Sequence, residues 1–469
     1  MNNYDPTSKA SLLSHARLLL GKSLSDLYKD SIEPNQGRGK MGQCVEQYHF
    51  KYTPNNDPHP DFPNAGVELK CTPLKTLNDG SMVPKERLVL NIIDYIKEAQ
   101  SSFETSSFWQ KNQLLLLMFY LHEAGVPVVN LVFKIIRLWN FPEVDLKIIR
   151  DDWNKLHWKM THGLAHEISE GDTLYLGACP KGSRAGAEMR KQLDSTAPLA
   201  QQRAYSLKAR YMNTIVLDSL SHDDMCDGIF LSDKQREKIE KATANVSSIV
   251  NSIDEYLPNE TFEDLVERKF RHFYGRSIYE IEAEIGTHIT NKVKAISYAT
   301  ICAILGVKTK KIKEFEKANL QQKSIRLESN GNLKESMVFG QINYNEIINE
   351  EIWEESVWYE TLTQRFFFIV FRKNDNNDPK SSVLEKVFFW TMPKSDLQIA
   401  KAFWEDTKEK IKNGDFNHFI KISDNNICHV RPKAKNSKDL IDTPFGMQKK
   451  KGYWLNRAYI LKIVKDNME

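Results

Sequence analysis

Two carboxylates and one ammonium group stand close together in the segment Asp61-Phe-Pro-Asn-Ala-Gly-Val-Glu68-Leu-Lys70. If Glu68 and Lys70 lie on a strand, they point to the same side, because side chains alternate along a strand with period two. The preceding loop can then bring Asp61 beside them. Carboxylate oxygens are the ligands that Mg²⁺ prefers, and the ion lowers the pKa of a water that it binds. The spacing favours metal-dependent hydrolysis of a phosphodiester, although a solvated strand end would show the same pattern.

Two further charged residues can reach the same place. Glu46 lies four residues after Gly42 on a predicted helix and could supply another metal ligand. Lys111 comes just before a strongly apolar run and could contact a phosphate at the mouth of a core strand. Both residues are equally compatible with ordinary positions on the surface.

Zinc is the other metal that the sequence suggests. His162 and His166 have the i, i+4 spacing of two ligands on one helix. No glutamate completes an HExxH motif, however, and Gly163 between the histidines weakens a helix. The sequence therefore does not favour a zinc site.

Helix-like and strand-like segments alternate along the chain that must position these residues. Residues 8–30 repeat leucines at helical spacing, and VELKCT (67–72) has the pattern of a short buried strand. Residues 144–158 have helical periodicity, and 172–178 alternate like a strand. Apolar runs that fit either central strands or buried helices occupy residues 88–98, 113–121 and 127–136. The sequence predicts a mixed α/β (α+β) fold.

Three pairs of similar segments recur at an offset of about 250 residues. The pairs are PKGSRAG (180–186) with PKAKNSK (432–438), AYSLKARYMNTIV (204–216) with GYWLNRAYILKIV (452–464), and FETSSFW (103–109) with WEESVWY (353–359). A polar, helix-prone segment at 233–257, followed by Pro258, separates the two sets. We predict two tandem copies of one domain joined by this helix, with an ordinary surface helix inside a single domain as the alternative.

Basic residues concentrate where the copies match. Nine basic residues against two acidic ones lie between Arg431 and Lys462, and seven against two lie between Lys181 and Arg210. Tyrosines and a tryptophan are interleaved with them. Lys and Arg in such a pattern are typical of phosphate contacts with nucleic acid, whereas a solvated basic face is the plainer alternative for either stretch.

Composition narrows the class of protein. The 469 residues are 41% hydrophobic and 27% charged, with 65 Lys and Arg against 62 Asp and Glu, which excludes a disordered tail and a wholly basic, histone-like protein. The six cysteines form no CxxC pair, and no apolar run approaches the length of a membrane span. We expect a cytoplasmic protein.

Five segments resemble, in order and spacing, the MutH family, which comprises a mismatch-repair nicking endonuclease and related restriction endonucleases that cut at GATC. The segments are GQCVEQY around Glu46, DFPNAGVELK from Asp61 to Lys70, FWQKNQLLLLM around Lys111, PKGSR from Pro180 and AYSLKARY from Ala204. The C-terminal HVRPKAKNSKDL and GYWLNRAYILKIV resemble the DNA-contacting end of the family more closely still. The tandem layout is similar to restriction enzymes whose N-terminal copy cuts and whose C-terminal copy binds a second site as an effector.

The resemblance implies the fold and the activity. Two restriction-endonuclease-like domains, each a central mixed sheet flanked by helices, would comprise a catalytic domain at 1–230, a connecting helix at 231–258 and a non-catalytic, effector DNA-binding domain at 259–469. The protein would be a type II site-specific deoxyribonuclease that makes a Mg²⁺-dependent double-strand cut at GATC.

The resemblance also assigns roles at the site. Asp61, Glu68 and Glu46 would be metal ligands, Lys70 would act on the attacking water, and Lys111 would support it. Contacts with DNA would come from Lys181, Arg184, Tyr205, Ser206 and Lys208 in the first copy and from Arg431, Lys433, Lys435, Tyr453 and Trp454 in the second. The first copy departs from the family before Pro180, where Ala178 and Cys179 replace an Ile-Arg type pair.

The second copy lacks the catalytic pattern. The repeat offset places KSIRLES (323–329) opposite AGVELKC (65–71). Arg326 and Glu328 then replace the glutamate and the lysine of the first copy, and Asn319 falls near the position of the aspartate. We predict that the second copy binds DNA without cutting it.

Partners and alternatives follow from this prediction. One active site per chain must cut two strands either as a dimer formed on DNA or in two visits, and a restriction enzyme implies a companion DNA methyltransferase. A strand-nicking repair endonuclease is one alternative, and a non-catalytic GATC-binding regulatory protein is another. The duplication favours restriction, and the intact DFPNAGVELK segment favours catalysis.

Overall fold

The computed structural model describes residues 4–29, 41–54, 57–181, 188–221, 231–290, 296–308, 311–375, 378–436 and 438–468. Its α-helices are α1 (Lys9–Ala16), α2 (Leu24–Tyr28), α3 (Met41–Cys44), α4 (Tyr95–Glu98), α5 (Ser107–Asn112), α6 (Glu143–Thr161), α7 (Ala209–Leu220), α8 (Asp233–Ala244), α9 (Phe262–Arg271), α10 (Ile278–Ile285), α11 (Ile296–Leu305), α12 (Lys313–Ala318), α13 (Tyr344–Ile347), α14 (Val357–Leu362), α15 (Lys394–Lys412) and α16 (Arg457–Met468). Across these described ranges, no helix combines the length and the apolar character needed to cross a membrane.

The strands are β1 (Glu68–Thr76), β2 (Met82–Pro84), β3 (Leu88–Ile92), β4 (Leu114–Leu121), β5 (Phe133–Asn140), β6 (Leu176–Pro180), β7 (Met189–Arg190), β8 (Ala200–Gln201), β9 (Arg203–Leu207), β10 (Val246–Ser247), β11 (Lys311–Ile312), β12 (Gln321–Leu327), β13 (Met337–Gln341), β14 (Phe366–Arg372), β15 (Val383–Trp390), β16 (Cys428–Pro432), β17 (Leu440–Ile441), β18 (Gln448–Lys449) and β19 (Lys451–Leu455). Helices and several sheets are thus combined in one chain, which confirms the predicted mixed α+β class. The chain divides into two compact units: unit 1 is Met1–Pro258 with Thr309–Asn319, and unit 2 is Asn259–Lys308 with Leu320–Glu469.

The main sheet of unit 1 has the strand order β2-β1-β4-β5. β1 and β4 run parallel, with Glu68 opposite Leu115 and Lys70 opposite Leu117. The run at 113–121, which periodicity leaves undecided, is the strand β4, and Leu115 to Phe119 are buried. A central strand with a parallel neighbour needs such a continuous apolar run, because both of its faces lie in the core. The site residues of β1 are therefore attached to the most deeply buried part of unit 1.

A second sheet of unit 1, with the antiparallel order β3-β9-β6, is anchored by a buried carboxylate on α6. Asp152 accepts hydrogen bonds from the backbone N–H groups of Leu174, Tyr175 and Leu176 at 2.7, 2.6 and 2.9 Å. Burial raises the pKa of Asp152 to about 6, although the hydrogen bonds from the backbone act to lower it. The carboxylate fixes the chain as it enters β6, the strand that leads to Lys181.

The predicted connecting helix is shorter than expected. α8 covers Asp233–Ala244, has no buried residue and begins with a capping box at Ser232. The chain beyond it forms β10, whose Val246 pairs with Lys311 of β11. Val246 is β-branched and therefore favours a strand, so the helix ends well before Pro258.

Residues 309–319 belong to unit 1 although they follow the first part of unit 2. α12, which lies in this segment, packs on α7. The Lys317 ammonium bonds both oxygens of Asp145 at 2.6 and 2.7 Å, and the Tyr211 hydroxyl donates to the same carboxylate at 3.1 Å. Lys317 and Asp145 are 4% and 3% exposed, so each charge is compensated almost wholly by the other. We call residues 309–319 the returning segment.

Unit 2 repeats the element order of unit 1. Its sheets β12-β14-β15 and β13-β19-β16 correspond to β1-β4-β5 and β3-β9-β6. The pairing shifts between Phe119 and Tyr120 in β4 and between Val370 and Phe371 in β14, which lies 251 residues further on. This shared irregularity fixes which strand positions of the two units correspond.

Candidate active site

Glu68 is the first residue of β1 and lies at the centre of the candidate site. Its side chain is almost fully buried, at 1% exposed. The Lys70 ammonium contacts Glu68 Oε1 at 2.5 Å, and the Lys111 ammonium lies 3.7 Å from the same oxygen. The alternation predicted for β1 thus puts Glu68 and Lys70 together, and Lys111 reaches the same carboxylate from α5.

A tight loop brings Asp61 to the head of β1. Backbone hydrogen bonds join Phe62 and Val67 in both directions, at 2.9 and 3.2 Å, and Gly66 takes the positive φ of +65° that this turn requires. The Asp61 N–H donates to Glu68 Oε2 at 3.0 Å, and the Leu69 N–H donates to Asp61 Oδ2 at 2.9 Å. The two carboxylates are thus held together by backbone donors.

Glu46 faces the same site from a π-helical turn, Val45–His49, which continues α3. A Cβ on Gly42 would lie 3.9 Å from Glu46 Oε1, so the glycine leaves room for the carboxylate. Burial and the Asp61 charge together raise the pKa of Glu46 to about 7, although Lys70 opposes them. Single π-helical turns inside helices are frequent at functional sites.

The three carboxylates form a donor set that suits a divalent cation. Burial also raises the pKa of Glu68, and the Asp61 charge adds to this effect while Lys70 opposes it. Hard oxygen donors that repel one another are the chemistry that Mg²⁺ stabilises. Among the described residues, however, no three His, Cys, Asp or Glu side chains are arranged so that they could hold a metal ion, and Glu68 is engaged by Lys70 instead.

Lys111 lies in the last turn of α5, directly before β4. Its ammonium donates to the Asp57 carbonyl at 2.6 Å, in addition to its contact with Glu68. The loop before Asp61 is therefore tied to the same lysine. The structure brings all five residues of the predicted catalytic set together, while their catalytic role stays a prediction.

Tyr52 is a residue of this site that the sequence analysis missed. Its hydroxyl is buried and has no hydrogen-bond partner among the described residues. Burial and the charges of Asp61 and Glu46 raise the pKa of Tyr52. Nothing in the spacing of the tyrosine signals this position, because it depends on the path of the loop after the π-helical turn.

The predicted DNA-contacting residues of unit 1 divide into three groups. Lys181 is half-buried, and its N–H donates to the Gln202 carbonyl at 2.7 Å. Arg184 lies outside the described residues. The side chains of Tyr205, Ser206 and Lys208 are buried, and their contact with DNA stays a prediction.

The burial of these three residues has a simple cause, because β9 is the middle strand of its sheet. The Tyr205 hydroxyl donates to Glu98 at 3.0 Å inside the core. The Lys208 ammonium, just after the strand, donates to the carbonyls of Glu170 and Thr173 at 2.7 and 2.5 Å. The Tyr205 and Lys208 side chains thus tie this sheet to the elements around it.

Unit 2 shows a similar division. Arg431, Lys433 and Lys435 are exposed, and the Arg431 guanidinium lies 5.2 Å from the centre of the half-buried Trp454 ring. Tyr453 is buried and stacks on Trp358 at 4.6 Å, and its contact with DNA stays a prediction.

Strand pairing identifies the counterparts of the catalytic residues in unit 2. Gln321, the first residue of β12, takes the place of Glu68, and Lys323 takes the place of Lys70. The carboxylate is therefore replaced by an amide, while the lysine is kept.

The alignment predicted from the sequence offset is wrong at this point. Arg326 and Glu328 lie five positions further along the chain, where Arg326 donates to Ser297 at 3.0 Å and Glu328 pairs with Lys373 at 2.7 Å. Strand pairing gives an offset of 253 residues here, close to that of the other matching segments, whereas the predicted alignment needed an offset of 258.

The chain is similar to known DNA-cutting and DNA-repair enzymes. The family model described as DNA mismatch repair enzyme MutH matches residues 50–152, a range that includes Asp61, Glu68, Lys70 and Lys111. The type II restriction enzyme Sau3AI of Staphylococcus aureus is 32% identical over an alignment of 514 residues, which covers 98% of this chain and 99% of that enzyme. The DNA mismatch repair proteins MutH of Shewanella amazonensis and Vibrio campbellii are 25% and 24% identical and cover 46% and 45% of this chain, with 97% and 95% of their own length.

Proposed function

The chain belongs to the family of the type II restriction enzyme Sau3AI, and from that premise we propose that it is a Mg²⁺-dependent restriction endonuclease that cuts double-stranded DNA at GATC. The observation that carries the proposal is the meeting of Asp61, Glu68, Lys70 and Lys111 at the head of a buried parallel strand pair. Two carboxylates and two ammonium groups are what phosphodiester hydrolysis requires: donors for a cation, a group beside the nucleophile and a cation for the phosphate.

Each residue has a distinct task in this proposal. Asp61 and Glu68, with Glu46 beside them, would hold Mg²⁺, which supplies charge stabilisation at the phosphate and a lowered water pKa. Lys70, on the same side of β1 as Glu68, would orient the attacking water, and its ammonium donates to Glu68 Oε1. Lys111 would neutralise charge on the scissile phosphate.

We further propose that unit 2 is the effector domain, which binds a second GATC duplex. The exposed cations Arg431, Lys433 and Lys435 support this role, as does the amide Gln321 in the place of a metal-binding glutamate. One site per chain fits a dimer formed on DNA, and a companion DNA methyltransferase would protect the host genome in the cytoplasm.

The experiment that tests the proposal is digestion of an unmethylated plasmid with several GATC sites, in Mg²⁺ and in EDTA, followed by sequencing of the product ends. We expect metal-dependent linear fragments that end at GATC. Nicked circles alone would favour the repair function of the MutH relatives, and an uncut plasmid bound by the protein would favour a regulatory role.

A further inference from the structure

Strand pairing places Lys323 of unit 2 at the position of Lys70, so this lysine of the catalytic pattern is retained. In unit 1 the corresponding lysine is 2.5 Å from Glu68, whereas Gln321 offers Lys323 no negative charge. Among the residues that the structure describes, no acidic side chain pairs with Lys323. A half-buried ammonium without an acid partner is costly unless it binds an anion.

The surroundings of Lys323 hold its ammonium in position. Phe339 is the residue at which the pairing of β13 with β19 shifts, between Val338 and Gly340. Such an irregularity re-aims a side chain, and the Lys323 Nζ lies 4.6 Å from the centre of the Phe339 ring. The stem of the lysine is thus ordered before any ligand arrives.

Lys433 supplies a second positive charge to the same place. Burial lowers the pKa of Lys323, and the charge of Lys433 lowers it further, so the two ammonium groups interact. Lys433 Cδ lies 3.1 Å from the position that a Cβ on Gly452 would occupy, so the glycine lets the lysine stem lie close to β19. Within the described ranges Lys433 also pairs with no acid. Lys323 and Lys433 therefore bring two positive charges, neither paired with an acid among the described residues, to neighbouring positions in unit 2.

We propose that Lys323 and Lys433 form a metal-independent site for one phosphate of the DNA backbone, at the place in unit 2 that corresponds to the cutting centre of unit 1. The inference rests on the proposed role of unit 2 as a DNA-binding effector domain and specifies how that role is achieved. Replacement of a carboxylate by Gln321 converts a site that needs a cation into one that provides cations itself.

Lysine labelling tests the site in the full-length protein. Amines are acylated in EDTA with and without a short GATC duplex, and modification of each lysine is read by mass spectrometry. We expect DNA to protect Lys323 and Lys433 and to leave Lys412, an exposed lysine at the end of α15, unprotected. Equal labelling of Lys323 with and without DNA, or protection that requires Mg²⁺, would overturn the inference.

A free phosphate ion has the same chemistry as a backbone phosphate, so it serves as a second probe. Inorganic phosphate at the same phosphate concentration should protect Lys323 far less than the duplex does. Equal protection by both would show a general anion site and would contradict a site built for DNA.

Variants measure the contribution of the charge. The DNA concentration that half-protects Lys433 is determined for the parent, Lys323→Met and Lys323→Arg. Loss of one phosphate contact should make binding about 3.5-fold less sensitive to a change from 50 to 200 mM salt, and arginine should restore most of that sensitivity. Lys412→Met is the matched control. An unchanged salt dependence in Lys323→Met would refute the contact.

The outcomes separate this inference from the proposed function. A parent protein that cuts at GATC with Mg²⁺ while Lys323 stays unprotected refutes only the phosphate site. A parent protein that neither cuts nor binds GATC DNA refutes the proposed function itself.

Discussion

At the scale of single residues, Glu68 organises the candidate site. One of its oxygens contacts Lys70 and the other accepts from the backbone of Asp61. Because the side chain is buried and already oriented by these groups, a metal ion would meet a preformed donor.

Replacement of Glu68 by alanine should reduce cleavage by more than about a hundredfold, since changes behind the ligands of metal sites already cost 10–100-fold. Binding of a GATC duplex in EDTA should persist, because no phosphate contact is removed. Single-turnover cleavage and a binding titration measure the two effects, and the exposed Glu123→Ala is the control. Cutting at the parental rate would remove the site assignment.

The raised pKa of Glu46 predicts how the free energy of unfolding depends on pH. Its pKa is about 7 in the folded protein and near 4.5 when unfolded, so its protonated form stabilises the fold below pH 4.5 and that contribution is lost as the pH rises through 7. In EDTA at pH 8, Glu46→Gln should therefore raise the free energy of unfolding by at most about 3 kcal/mol. Mg²⁺ should stabilise the parent more than the variant.

Urea unfolding at pH 4 and pH 8, with EDTA or Mg²⁺, provides the measurement. The difference between parent and variant should vanish at pH 4. A parent that is more stable than Glu46→Gln at pH 8 in EDTA would contradict the assignment of repulsion between the carboxylates.

Residue types and spacing predict the placement of Asp61, Glu68 and Lys70, because alternation on a strand fixes the geometry over two positions. They do not predict that Tyr205 and Tyr453 are buried, since an aromatic residue beside lysines fits a DNA surface and a sheet core equally well. That distinction depends on which strand is central, which only the sheet order decides.

At the scale of elements, a pair of histidines joins α1 to the π-helical turn. His15 and His49 stack at 4.2 Å, and the Nε2 of each contacts the backbone carbonyl of the other at 3.0 and 2.9 Å. The Tyr28 hydroxyl lies 2.8 Å from His49 Nδ1. Burial lowers the pKa of His49 to about 4, so its ring is neutral when it makes these contacts.

Acidification should therefore loosen this junction. The unfolded chain binds a proton at His49 near pH 6.5 and the folded chain only near pH 4, so the contribution is present above pH 6.5 and is lost as the pH falls through 4. Its full size is about 3 kcal/mol. The free energy of unfolding is measured from pH 7 to 4 in a Glu46→Gln background, which removes the opposing titration of Glu46. Its decrease with falling pH should disappear in His49→Phe. The exposed His59→Phe should keep it, and an unaltered slope in His49→Phe would exclude the pair as its source.

The sequence predicts whether a segment is a helix or a strand where its pattern of apolar residues fits only one of them, as for β1. It is not predictable for Leu114–Leu121, because a buried helix and a central strand are both uniformly apolar. The predicted alignment of β12 with β1 failed for a related reason. Short similar segments give only an approximate alignment of the two copies, whereas the hydrogen bonds between β12 and β14 determine which residues occupy corresponding positions.

At the scale of the whole molecule, the returning segment closes unit 1 with residues from the second half of the chain. Removal of the Lys317 charge leaves Asp145 buried and unneutralised, which typically costs 3–5 kcal/mol. We expect Lys317→Met to lower the free energy of unfolding by about that amount, and a second change, Asp145→Asn, to recover part of it. Urea unfolding of the full chain checks both variants against Lys234→Met, an exposed lysine on α8. A loss no larger in Lys317→Met than in this control would show that the pair contributes little.

Duplication is visible in the sequence because matching segments recur at one offset. The returning segment has no such signal, because α12 is a short helix whose partners, α7 and Asp145, are far away along the chain. Only contacts reveal that unit 1 is discontinuous.

This discontinuity has a consequence for synthesis on the ribosome. A nascent chain that has emerged as far as Pro258 already holds every residue of the candidate site, yet Asp145 still waits for Lys317. Unit 1 cannot complete its core until the returning segment has left the exit tunnel. We therefore expect chains that terminate between the two segments to be poorly folded and open to proteolysis, because unit 1 is completed late in translation, when most of the protein has been made.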